Sequence, residues 1–284
     1  MDATHYGQGV LDDATTPIDR EPPSRNASRR LAALGALGAI GALVTSLAGC
    51  VALRVDALSP GTAPPAETAP ATAISRADLP PSPAGPALSA VALLPIKGRA
   101  PKTGYDRGLF GQAWLDTDRN GCDTRNDVLR RDLTDDVLKE GTRGCVLMTG
   151  TLHDPYTATT ISFVRGSATS NAVQIDHVVP LSDAWQKGAQ QWSGTKRTVF
   201  ANDPLNLLAV DGPTNQGKGD SDVATWLPPS KDYRCAYAAR IVAVKVAYGA
   251  WVTEAERDAL VTVLVGCPTE QLPQRVGFVL GAEG

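Results

Sequence analysis

Residues 174–185 read QIDHVVPLSDAW, and residues 200–220 read FANDPLNLLAVDGPTNQGKGD. Each stretch holds a short apolar run that ends in side chains able to ligate a metal or move a proton. Val173 to Ile175 predict a short strand that delivers Asp176 and His177, after which Pro180 turns the chain. Residues 182–192 predict a helix with Ser182 as its cap and Trp185 facing inward. Residues 202–210 predict a turn and a second strand. Asn215 then opens a segment that runs through Lys218 toward Trp226. The chain has three histidines, and His177 is the one with an acidic neighbour, an apolar strand before it and a proline turn after it. His153, in a His-Asp-Pro turn, reads as a surface hydrogen-bonding residue.

Hydrolysis of a phosphodiester needs a polarised phosphate, an activated water and a stabilised leaving oxygen. One hard divalent ion supplies the first and third, and carboxylate and amide oxygens suit magnesium or manganese. Asp176 offers charge and Asn215 a neutral oxygen. An imidazole that titrates near neutrality can take the proton from water. Successive strand side chains point to opposite faces, so Asp176 and His177 share a site only at a strand end or bulge. Taken singly, Asp-His also reads as a local hydrogen-bonded pair and Asn-Asp-Pro as a plain turn. Both in order, followed by Asn-x-x-Lys, point to a nuclease site.

The order of these parts resembles the HNH endonuclease motif, within a secreted actinobacterial branch related to the C-terminal domain of GmrSD-type restriction enzymes. YDRGLFG, NGCDTRNDVLRRDL, DPYT and QIDHVVPL share in the resemblance, which spans most of residues 97–267. It implies that Asp176 binds metal, His177 is the general base, Asn206 orders the loop, Asn215 is the last metal ligand and Lys218 contacts phosphate. Asn rather than His at the last position disfavours zinc. The insertion between the two strands is longer than in compact members.

Upstream, residues 116–127 read DTDRNGCDTRND. This matches a calcium loop, with Asp116, Asp118, Asn120 and Asp127 as oxygen donors and Gly121 at the bend. The same residues also read as an Asx-rich turn, stapled by Cys122, that caps the next helix. That helix is expected over 124–140, with Val128, Leu129, Leu133, Val137 and Leu138 on one side. Of its arginines, Arg125 is the candidate phosphate contact. Residues 146–152 and 159–164 predict a hairpin, and Lys196 and Arg197 are a basic pair that reads as phosphate-binding or merely exposed. Two helices are expected at the C-terminal end, over 235–248 and 253–265, the second begun by a capping box of Thr253 and Glu256.

The N-terminal part reads as export machinery and tether. Arg29 and Arg30 precede an uncharged run over residues 31–48, followed by LAGC at 47–50. A basic flank, an apolar core and small residues describe a secretory signal. LAGC resembles a bacterial lipobox, with Cys50 as the lipid-modified residue; an uncleaved membrane anchor is the competing reading, and the arginine pair permits twin-arginine export. Residues 51–95 are rich in Pro and Ala and predict a disordered tether. Removing Cys50 from five cysteines leaves four, an even number suited to an oxidising compartment. Of three pairings we favour the sequence-nearest one, Cys122 with Cys145 and Cys235 with Cys267. The formal net charge of -3 argues against a protein that coats nucleic acid. It leaves room for a nuclease that grips one phosphate through a metal.

The sequence therefore predicts an α+β domain over 96–270 with a ββα-metal core, added helices and a β-hairpin, followed by a loose tail over 271–284. The expected function is extracellular, metal-dependent hydrolysis of DNA, with RNA as a second substrate. Membrane association would come through the lipid anchor, and no protein partner is expected. A non-catalytic surface-binding lipoprotein and a small-molecule phosphodiesterase are the alternatives.

Overall fold

The computed structural model describes residues 76–275. The signal sequence, Cys50, most of the expected tether and residues 276–284 lie outside them. The described part is α+β, as expected. It has two small antiparallel sheets, β1-β2-β3 and β4-β5, set among helices.

The first sheet contains β1 (Leu133–Leu138), β2 (Leu147–His153) and β3 (Thr160–Val164). β2 and β3 form the expected hairpin, with Leu152 opposite Ile161. β1 is a correction. The helix expected over 124–140 stops at Asp132, so α2 is Thr124–Asp132, and Leu133 starts a strand on β2. Local spacing suited a longer helix, but Leu133 sits opposite Leu152 and is buried with Leu147 and Phe163. Sheet packing overrode local periodicity.

The second sheet pairs β4 (Val173–His177) with β5 (Leu207–Asp211), placing Asp176 opposite Leu208 and His177 opposite Leu207. Its two faces meet two different cores. Leu207 and Ala209 pack with α2 and the first sheet, whereas Leu208 and Val210 join the larger helical core. A strand buried on both faces needs a continuous apolar run rather than alternation, which is why LLAV is uninterrupted. α5 (Gly212–Lys218) follows at once, capped by Asp211, whose carboxylate accepts from the Thr214 amide at 2.8 Å. Gly212 is required here: a Cβ would lie 2.0 Å from the Asn171 carbonyl oxygen. β4, β5 and α5 thus form a compact ββα unit.

The larger core holds α1 (Ala87–Ala90), α3 (Leu181–Gln186), α4 (Gly194–Ala201), α6 (Arg234–Tyr248) and α7 (Glu254–Val265). α3 begins at Leu181 behind Pro180, so Ser182 is a buried residue of the first turn and not the cap. The capping box of α7 is half formed. Thr253 accepts from the Glu256 amide, but the Glu256 carboxylate turns inward to two lysines.

Those lysines belong to a buried ionic cluster. Lys187 Nζ lies 2.7 Å from Asp183, 2.7 Å from Asp222 and 2.6 Å from Glu256. Lys245 lies 2.6 Å from Glu256, and Arg99 reaches Asp183 and Asp222. Three cations balance three carboxylates, tying α3, α6 and α7 to the loop at Asp222.

Both favoured disulfides are present, Cys122–Cys145 and Cys235–Cys267. The folded part extends past both expected boundaries. Ala87, Ala90, Val91 and Leu94 are buried in the larger core, although they fall within the expected tether. At the other end Leu272 is buried, and the Arg275 guanidinium pairs with buried Asp203 at 2.6 Å. The two segments hold each other: the Ala87 amide donates to the Glu270 carbonyl and the Leu272 amide to that of Gly85. Few but well-placed apolar residues in a Pro/Ala-rich stretch suffice once a partner segment lies beside them.

Candidate active site

β4 ends at the site. Its alternation puts Gln174 and Asp176 on one face, and α5 brings Asn215 beside them: the Asn215 amide nitrogen donates to Gln174 Oε1 at 3.0 Å. His177 comes at the strand end, where the chain leaves regular pairing for Pro180. Asp176, His177, Asn215 and Gln174 all line one cavity of about 260 Å³, which Tyr105, Arg107 and Asp220 also border.

Asp176 is buried, and both its oxygens are engaged. Oδ1 accepts from Lys218 Nζ at 2.9 Å, and Oδ2 accepts from the Tyr156 hydroxyl at 2.5 Å. Burial and the nearby Asp176 charge push the Tyr156 phenol well above its ordinary range, so it remains a donor. Lys218, expected at a phosphate, is instead fully enclosed, its ammonium shared between Asp176 and the His177 carbonyl.

The His177 ring nitrogen Nε2 lies 2.8 Å from the Ala201 carbonyl oxygen. A carbonyl can only accept, so Nε2 carries the proton and Nδ1 keeps its lone pair. Burial is the main cause that lowers the imidazole pKa to about 4, outweighing the Ala201 carbonyl and Asp176, which favour the cation. The ring is therefore neutral at physiological pH.

Asn206 stands behind the turn and is completely buried. Its side chain accepts from the Val179 amide at 2.8 Å and donates to the Val179 carbonyl at 3.2 Å, while its own carbonyl accepts from the Val178 amide. It fixes the two residues after His177.

The groups lining the cavity include the carboxylates of Asp176 and Asp220, the latter paired with Lys102, and the amides of Gln174, Asn215 and Gln216. Each Asp176 oxygen spends one lone pair on its hydrogen bond, and the Asn215 bond to Gln174 through nitrogen orients the amide. This set fits a hard divalent ion. Among the described residues no group of three or more His, Cys, Asp and Glu converges as a ligand cluster, so such an ion would take much of its shell from water and substrate.

Other expected residues lie elsewhere. Arg125, on α2, does not border this cavity; burial lowers its pKa, and the Arg165 charge adds to the effect. In the Asp-rich turn, Asp116 and Asp118 accept from the Asn120 amide, and Asp116 also accepts from that of Gly121. The Asn120 side chain donates to Asp118 and Asp127, and Asp123 caps α2. The turn is thus arranged as the Asx-rich cap. The calcium-loop expectation gains no ligand cluster among the described residues.

Sequence reasoning missed Tyr156, Gln174 and Arg107. Gln174 could have been found from period-two spacing to Asp176. Tyr156 and Arg107 come from distant segments and carry no local signal beyond the DPYT and YDRG text around them.

Comparison with known proteins bears on this site. Residues 123–263 match the family model of the C-terminal domain of GmrSD restriction endonucleases. The chain is also 39% identical over 186 residues to an uncharacterized secreted protein of Arthroderma benhamiae, covering 65% of this chain and 86% of that one. No solved structure matches the chain. The chain belongs to the GmrSD restriction endonuclease C-terminal domain family.

Proposed function

We propose that this protein is an exported, metal-dependent nuclease of the HNH type that hydrolyses phosphodiester bonds of DNA, with RNA as a second substrate. The observation that carries the reading is the convergence of Asp176, His177 and Asn215 on one cavity. Family membership supports a nuclease; the HNH assignment and the bacterial secreted branch are part of the proposal.

Asp176 and Asn215 would hold the ion, magnesium or manganese, which when bound supplies Lewis-acid polarisation of the phosphate and stabilises the leaving oxygen. The chain's own residues do the rest. His177 Nδ1 accepts the proton of the attacking water, because Ala201 holds the other nitrogen protonated. Lys218 and Tyr156 orient the Asp176 carboxylate and compensate its buried charge. Asn206 acts as a positioning residue for the turn after His177. With Lys218 enclosed, phosphate contact passes to Arg107 at the cavity rim. Two disulfides, and a relative named as secreted, support export, and lipid attachment at Cys50 would retain the protein at the outer membrane face. The test is incubation of supercoiled plasmid and of single-stranded circular DNA with the protein plus magnesium or manganese, with and without chelator. Metal-dependent nicking is the expected result, and plasmid and single-stranded circular DNA both left intact with every metal overturn the reading.

A further inference from the structure

Beside the polar cavity lies a second one of the same size, about 260 Å³, and the two meet at Arg107, His177 and Leu181. Their walls differ. The first presents carboxylate and amide groups. The second is mostly apolar, built from Phe110, Ala113, Trp114, Leu181 and Ala201, with Gln112 as a hydrogen-bonding side chain. We propose that this second groove is a subsite for the nucleobase adjoining the scissile phosphate, so that the substrate is single-stranded or locally splayed nucleic acid. The inference deepens the nuclease reading and rests on it.

A phosphate at His177 leaves its attached nucleoside against whatever surface adjoins that ring. Here the adjoining surface is a mostly apolar cavity with an indole on its wall, which suits the face of a heterocycle. Stacking on aromatic side chains is how proteins take up unstacked bases, and every base has a face to offer. A base paired within a duplex cannot enter such a slot. Arg107 sits on the wall common to both cavities. It is exposed, and its guanidinium forms no ion pair among the described residues, so it is placed to grip the phosphate between the two halves of a nucleotide.

Trp114 is held for the purpose by its surroundings. Its φ is 60°, a left-handed backbone state that bulky residues rarely adopt. Neighbouring bonds impose it: the Thr124 amide donates to the Trp114 carbonyl, and the Leu115 amide donates to buried Asn202. Such outliers concentrate where a side chain must be aimed.

The test measures binding in the presence of chelator, so that no cleavage is required. A fluorescein-labelled single-stranded 12-mer and its duplex are titrated with the full-length protein and followed by anisotropy. Tighter binding of the single strand is expected. Trp114→Ala should weaken single-strand binding by about 5- to 100-fold, Trp114→Tyr should restore most of it, and Ala113→Phe, which fills the slot, should weaken it as Trp114→Ala does. Equal affinity for both strands forms overturns the proposal. So does unchanged single-strand affinity in Trp114→Ala and Ala113→Phe variants with wild-type melting temperatures. Selective binding that survives while neither plasmid nor single-stranded circular DNA is cut in magnesium or manganese would sink hydrolysis while leaving the base subsite standing.

Discussion

Asp127 illustrates what burial does to a charge. Burial, reinforced by the nearby Asp118 and Asp116, raises its pKa from 3.8 to about 6, despite the hydrogen bond from Asn120. Between these values the folded state binds more protons than the unfolded one, so this residue's contribution to stability is lost as pH rises through the window. Asp127→Asn should therefore be more stable than wild type at pH 7.5, by about 1–3 kcal/mol, and the two should converge near pH 4. Urea melts across pH 4–8 measure the difference. A variant that is less stable at pH 7.5, and a wild type stabilised by millimolar calcium, would favour the calcium-loop reading of this turn. The sequence displayed the acidic spacing but could not show that Asn120 would fill the centre of the turn.

At the scale of elements, the ionic cluster under α3, α6 and α7 replaces apolar packing with paired charge. Such clusters contribute little relative to a hydrophobic substitute, but removing one partner strands the others. Lys187→Met leaves Asp183, Asp222 and Glu256 with one fewer cation. It should cost about 3–5 kcal/mol in chemical denaturation, whereas exposed Lys102→Met, whose partner Asp220 is also exposed, should leave the denaturation midpoint almost unchanged. Equal losses would contradict the assignment of the cluster as a clamp. Elements with short-range causes were legible: the hairpin, β4, β5 and both C-terminal helices. β1 was not, because Leu133 is decided by Leu152, a strand away. Nor was the inward turn of Glu256, whose capping role is chosen locally and overruled by Lys187 and Lys245.

For the whole molecule, the extent of the fold was the least legible property. Composition marked residues 51–95 as tether, yet Val91 and Leu94 lie in the core and the chain from Gly85 pairs with the segment ending at Leu272. Burying each of those two side chains is worth about 1.5–3 kcal/mol. A protein beginning at residue 96 should thus melt well below one beginning at residue 77, by calorimetry; equal melting temperatures would show that the segment merely lies on the surface. The proposed trio was legible because β4 and α5 are local elements, with Asp176 and His177 closing β4 and Asn215 midway along α5. Its supporting residues were not: Tyr156, Arg107 and the Ala201 carbonyl come from separate parts of the chain. The enclosure of Lys218 also depends on Asp176, 42 residues away in sequence. His177 is the proposed base, and the direct measurement is the rate of plasmid nicking by His177→Ala beside wild type in saturating manganese. Loss of about 10²–10⁴-fold is the predicted result, with an unchanged melting transition; nicking at the wild-type rate would contradict it.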